Sequence, residues 1–280
     1  MKKLVLSLIM FASLQVANAQ IEVPKASPVA EVEQVVGLTK VEVDYARPSK
    51  KGRSVFGDLV PYGRLWRTGA NENTKIEFSD DVYINGILLP KGEYAIYTIP
   101  NPTEWKVIFY KETNNWGLPK EFNENSVALT AVVPVKDLSK EIEYFKIEIN
   151  PLSNNKGELV FGWERTSVAV EFEVPTHAKT LASLSNLNES SKAGDYYSAG
   201  QYLFTSNTDL KKGLEYVNKA ISMSGDAPFY MLRGKSLIQA ALGDKKGAIQ
   251  TAKQSLEKSE KANNADYIKM NKDSILEWSK

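Results

Sequence analysis

The 280-residue chain has no cysteine and a single histidine, His177. No disulfide can form, and no thiolate nucleophile, iron–sulfur cluster or cysteine zinc site can be built. A multi-histidine metal site is excluded, and a Ser-His-Asp triad would have to use His177. Neither sign of charge dominates, with 35 Lys and Arg against 34 Asp and Glu. That balance lacks the global basic field of a nucleic-acid binder. No Rossmann or P-loop glycine pattern occurs, so no nucleotide cofactor is implied. No cofactor and no metal are assigned; Asp80-Asp81 alone is a weak calcium signal. What remains for catalysis is carboxylate, Lys, Tyr, Ser/Thr and Arg chemistry.

What is present begins with a secretory pattern. Lys2 and Lys3 precede a mostly apolar run from Leu4 to Val16, followed by Ala17-Asn18-Ala19. A basic start, a short apolar stretch and a small-x-small site predict a signal peptide over residues 1–19, cleaved between Ala19 and Gln20. The apolar run is shorter than the roughly 20 residues that span a bilayer, so a membrane anchor is disfavoured. The expected location is periplasmic or secreted, with no membrane span after cleavage.

From about Val35 to Val174 the hydrophobic pattern has period two. Val41, Val43 and Tyr45 alternate with Glu42 and Asp44, and Phe145, Ile147 and Ile149 alternate with Lys146 and Glu148. Half-buried strands produce this pattern. Asn85-Gly86 between two apolar triplets predicts a type I′ hairpin. After Pro175 the spacing becomes helical, and at an offset of 35 the segment matches itself, Asp209–Leu214 against Asp244–Ile249. The period and the Gly243-Asp244-x-x-x-Ala248-Ile249 pattern resemble tetratricopeptide repeats. Gly243 can end one helix and Asp244 can cap the next.

The expected fold class is α+β in two parts. An antiparallel β sandwich or barrel-like domain over 35–175 follows an N-terminal arm over 20–34. A linker and first helix over 176–193, holding an exposed and inert His177, lead into a tetratricopeptide-like helical domain over 194–280. That domain should contain two helix pairs and a terminal helix. It either docks to complete the fold or offers a surface to a partner protein of the cell envelope.

One region breaks the period. Arg47 to Thr74 reads RPSKKGRSVFGDLVPYGRLWRTGANENT. Long irregular segments inside compact domains are usually functional or deliberately ordered. Its motifs Arg47-Pro48-Ser49-x-Lys51-Gly52-Arg53, Phe56-Gly57-x-Leu59-Val60-Pro61-Tyr62-Gly63 and Trp66-Arg67-Thr68-Gly69-Ala70-Asn71-Glu72 resemble domain-of-unknown-function family 2911. Leu89-Pro90-x-Gly92-x-Tyr94 and Trp163-Glu164 continue the resemblance. It covers about residues 26–174 and implies an exported β-rich domain of Bacteroidetes-type bacteria, often with a helical C-terminal extension. It implies no activity.

Candidate ligand-binding residues are Arg47, Arg53, Tyr62, Trp66, Arg67, Asn71 and Glu72. Guanidinium groups near glycine-rich turns can hold a carboxylate or phosphate, and Phe56, Tyr62 and Trp66 could form a stacking wall. The same arginines could instead hold the loop down by bonding to carbonyls, Asp58 or Glu72. Glu72 is the candidate for acid–base chemistry. A glycosidase-like hydrolase would need a second carboxylate from Asp44, Asp58 or Glu164. Three readings follow: a non-catalytic binding module for a small anionic or carbohydrate ligand or an envelope protein, a Glu72-centred hydrolase, and a structural or assembly protein acting through its helices.

Overall fold

The structure, a computed structural model, describes residues 23–280; the signal-like segment 1–19 lies outside the described residues. The chain divides into two compact units, with the boundary between Thr176 and His177. The strands of the first unit are β1 (Val29–Val36), β2 (Thr39–Ala46), β3 (Thr74–Phe78), β4 (Val82–Ile84), β5 (Ile87–Leu89), β6 (Gly92–Pro100), β7 (Glu104–Tyr110), β8 (Val127–Pro134), β9 (Lys136–Ser153) and β10 (Lys156–Glu173). They form a six-stranded sheet in the order β1-β2-β3-β6-β7-β8 and a four-stranded sheet in the order β5-β4-β10-β9. Every pairing is antiparallel.

The alternation seen in the sequence becomes the inner face. In β2, Val41, Val43 and Tyr45 are buried, while Lys40 and Asp44 are exposed. One core lies between the sheets, as Phe78 of β3 meeting Phe172 of β10 at 5.5 Å between ring centroids illustrates. At the β4–β5 hairpin, Asn85 and Gly86 have φ of 51° and 76°. This is the positive-φ pair that a type I′ turn requires.

The middle of the large sheet is buried on both faces. Ala95, Tyr97, Ile108 and Tyr110 point away from the main core and form a second cluster with Leu65 and Phe122. Phe122 stacks on Tyr110 at 5.1 Å. The long β7–β8 connection, residues 111–126, therefore lies against the outer face of β6 and β7. Its course places side chains beside the irregular 47–73 segment.

The second unit is helical: α1 (Thr176–Leu184), α2 (Ala193–Thr205), α3 (Leu210–Met223), α4 (Phe229–Ala241), α5 (Lys245–Lys261) and α6 (Ala265–Trp278). Helices α2 with α3 and α4 with α5 are adjacent pairs, followed by α6. The sequence repeat is a repeat of caps. Asp209, Asp244 and Asn264 accept from the backbone N–H groups of Lys212, Gly247 and Tyr267 at 2.9, 2.8 and 3.1 Å. Each satisfies an orphan donor at a helix start. One expectation is corrected here. His177, expected to be exposed and inert in the linker, stands in α1, half-buried, with Nδ1 3.0 Å from the Tyr202 hydroxyl. Among the described residues, no helix is long and apolar enough to cross a membrane.

The two most buried tryptophans of the sandwich test how its core is held. Trp163 Nε1 donates to the Glu143 carbonyl at 3.0 Å. The Trp105 indole N–H is buried with no partner among the described residues. Trp163→Phe removes a bonded donor, leaving the Glu143 carbonyl only its bond from the Lys50 N–H, whereas Trp105→Phe removes an orphan. Thermal or denaturant unfolding should show Trp163→Phe destabilising by about 1 kcal/mol more than Trp105→Phe. Equal losses would contradict this account.

Candidate functional site

The irregular segment enters the core rather than lying over it. Val55, Phe56 and Val60 are buried, and the Trp66 backbone forms a bridge with Thr98 of β6. Trp66 N–H donates to the Thr98 carbonyl at 2.8 Å, and Thr98 N–H donates back at 2.9 Å. The Trp66 ring stacks on Trp163 at 6.0 Å, with 20° between planes. It meets Phe145 edge-on at 5.1 Å and Trp105 at 6.2 Å. Phe56 closes the group, 4.8 Å from Trp105. Edge-to-face and offset pairs of this kind add to simple area burial. The segment is thereby pinned at its centre.

Its first part is pinned by polar bonds. Arg47 Nε donates to the Phe145 carbonyl at 3.1 Å. Arg53 Nε donates to the Lys50 carbonyl at 2.8 Å, and another Arg53 nitrogen to the Ser49 carbonyl at 2.7 Å. Glu143 accepts from the Ser49 hydroxyl and, at 2.9 Å, from the Lys51 N–H. Glu164, in a bulged stretch of β10 with φ of 55°, accepts from the Val55 N–H at 3.2 Å.

After Trp66 the backbone turns sharply. Thr68 has φ of 56°, a position that a β-branched residue rarely takes. It is held there because its carbonyl accepts from the Thr74 hydroxyl at 2.6 Å and its own hydroxyl donates to that of Thr98 at 3.1 Å. Gly69 follows with φ of 149°; a Cβ there would sit 3.0 Å from the Ala46 carbonyl oxygen. Residues held in such conformations cluster at binding and catalytic sites.

Two cavities flank this turn. The first, of about 640 Å³, is floored by Trp66 and Trp163 and has Lys51, Arg53, Arg64 and Arg67 in its wall. Among the described residues, no Asp or Glu lines it. Arg67 is half-buried and its guanidinium lies over Gly117, where a Cβ would be 2.7 Å from one of its nitrogens. Among the described residues, none accepts a hydrogen bond from Arg64 or Arg67. Both guanidinium groups line the cavity and keep donor capacity that no side chain or carbonyl among the described residues uses.

The second cavity, of about 660 Å³, is lined by Asp44, Asn71, Glu72, Asn73, Lys75 and Trp116, among others. Asn71, with φ of 61°, turns the chain into it. Partial desolvation at the cavity wall pushes the Asp44 carboxyl above its ordinary value; Glu42 and Glu93 push the same way and Lys75 opposes. Ala26, Ser27 and Ala70 belong to the walls of both cavities.

The expected site residues thus separate. Arg53, Trp66 and Arg67 line the first cavity, and Asn71 and Glu72 the second. Arg47 lines neither; it is bonded to Phe145 and lies over the Tyr144 ring. Tyr62 also lines neither, and its ring covers Gly57. No ion pair joins Arg67 to Glu72 among the described residues. Of the carboxylates considered as partners for Glu72, only Asp44 shares its cavity. Sequence reasoning passed over Lys51, Arg64 and Asn73, which lie in or beside the singled-out motifs. It also passed over Trp116 and Leu118, whose loop carries no periodic signal.

Glu143 anchors the 49–51 wall, and its hydrogen bonds hold its carboxyl below the ordinary value of 4.5. A depressed carboxylate contributes stability above its unfolded value and loses it as pH falls through the folded value. Wild type should therefore melt higher than Glu143→Gln at pH 7. The two melting temperatures should converge as pH falls below about 4. A gap that stays constant across that range would refute the assignment.

Among curated proteins and among solved structures, none matches this chain. A family model does match, over residues 27–172, which takes in both sheets and the inserted segment with its cavities. The chain belongs to DUF2911, described as a protein of unknown function.

Proposed function

We propose that the protein is an exported, non-catalytic binding module whose β-rich domain takes a small organic anion. The carrying observation is the first cavity. Four cationic side chains and no carboxylate surround a floor of two indole rings. Guanidinium forks match carboxylate and phosphate oxygens, and the indoles suit a flat or apolar body on the same ligand. The volume falls within the range usual for small-molecule sites. Arg53 braces the wall through two carbonyls, leaving Arg64 and Arg67 as the groups that meet the anion. Export is supported by the signal-like residues 1–19.

A second reading, the Glu72-centred hydrolase, has one observation in its favour. Asp44 and Glu72 line the same cavity, and Asp44 holds its proton more tightly than an ordinary Asp. Turnover of nitrophenyl glycosides that Glu72→Gln abolishes would select it over binding alone.

Calorimetric titration with phenyl phosphate and with D-glucuronate tests the binding reading, with phenol and glucose as neutral controls. The anions should bind and the neutral analogues should not. Binding should weaken as salt rises, because the cations are partly exposed. Arg67→Ala should reduce affinity about ten-fold or more, the loss expected for a charged hydrogen bond. Failure of every anion to bind would overturn the proposal.

A further inference from the structure

We infer that the two cavities are halves of one site for an acidic oligosaccharide. The charged sugar lies in the arginine cavity, and the adjoining neutral sugar lies over Trp116 beside Asp44, Glu72 and Asn73. This rests on the anion-binding reading above and specifies the ligand.

The cavities are contiguous. They share Ala26, Ser27 and Ala70, so only small side chains mark the divide. One loop also reaches both. Trp116 lines the second cavity and Leu118 the first, with Gly117 between them under the Arg67 guanidinium. That loop is tied down. Tyr97 donates its hydroxyl to the Gly117 carbonyl at 3.3 Å, and Asn73 Nδ2 donates to the Thr113 carbonyl at 3.1 Å. A ligand crossing the divide would meet a prearranged wall.

The chemistry of the halves differs. The first cavity holds only cations among its charged groups. The second mixes Asp44 and Glu72 with Lys25 and Lys75, so it does not call for a second anion. An ammonium group would be drawn by the two carboxylates and repelled by the two lysines. Hydroxyl groups suit the mixture, since they donate to carboxylates and accept from lysines. Asn73 adds an independent sign. It is 4% exposed, and its Oδ1 is buried with no partner among the described residues. Buried acceptors are normally bonded, and this one belongs to a residue of the cavity wall, where a small side-chain adjustment would offer it to a donor from outside the chain. Trp116 is 72% exposed, the highest value of any aromatic residue that lines either cavity. An indole face presented to solvent beside hydroxyl-binding groups is suited to the apolar face of a sugar ring. Each half is large enough for at least one such ring, on the usual range of about 300–1,000 Å³ for ligand sites.

The test compares three probes on the full chain: phenyl phosphate, D-glucuronate, and a disaccharide of glucuronate and N-acetylglucosamine. The disaccharide should bind at least ten-fold more tightly than glucuronate. Trp116→Ala should cancel that gain while leaving phenyl phosphate affinity and the melting temperature unchanged. Glu72→Gln should reduce the gain and spare phenyl phosphate. If phenyl phosphate binds through Arg67 but the disaccharide gains nothing, or the gain survives Trp116→Ala, this inference fails and the anion-binding reading stands. If a lysine-containing acidic dipeptide gains through Asp44 and Glu72 where the disaccharide does not, the ligand is a peptide and the inference is likewise overturned. If no anion binds at all, both fail together.

Discussion

The stack of Trp66 on Trp163 is the contact on which the β-rich unit depends. Trp163 belongs to a strand and has its own hydrogen bond to the adjacent strand of the same sheet. Trp66 belongs to a segment with no regular structure for most of its length. Joining the two makes an irregular chain part of the hydrophobic core. Phe56, Trp105 and Phe145 enclose the same point from other directions. The cost of ordering so long a segment is of the order of 1–2 kcal/mol per residue in backbone entropy. Buried rings and bonded carbonyls are what offset it.

The same contact explains why the cavity exists. Indole rings that fill the sandwich on one side also form the cavity floor on the other. The arginines divide into two kinds around it. Arg47 and Arg53 donate to backbone carbonyls and brace the wall. Arg64 and Arg67 face the space so enclosed. Bracing is thus the work of Arg47 and Arg53, and the binding proposed above falls to Arg64 and Arg67.

Much of the fold was legible in the sequence. Period-two runs gave β2, β9 and β10, Asn85-Gly86 gave the hairpin, and the repeated Asp caps gave α3 and α5. These features are local, so a local pattern records them. The site was legible only in its first half. Arg53, Trp66, Arg67, Asn71 and Glu72 stand in one motif region, and that concentration marks them. Sequence proximity could not reveal that Arg67 and Glu72 open onto different cavities, because the positive φ angles of Thr68, Gly69 and Asn71 turn the backbone between them. Nor could it reveal Trp116, which arrives from the β7–β8 connection. What brings that loop close is Tyr97 and Tyr110 on the outer face of the sheet, a burial that a one-sided strand pattern does not announce.

The bracing bonds of Arg47 and Arg53 run to main-chain carbonyls, and main-chain carbonyls are the same whatever residue carries them. Lys51, Arg64 and Leu118 are exposed side chains, set on a backbone that other residues hold in place. Replacing them would change the chemistry of the cavity wall and leave the bracing bonds in place. The chemistry of the wall can accordingly drift by exchange of a few surface groups, with the geometry that presents them inherited intact.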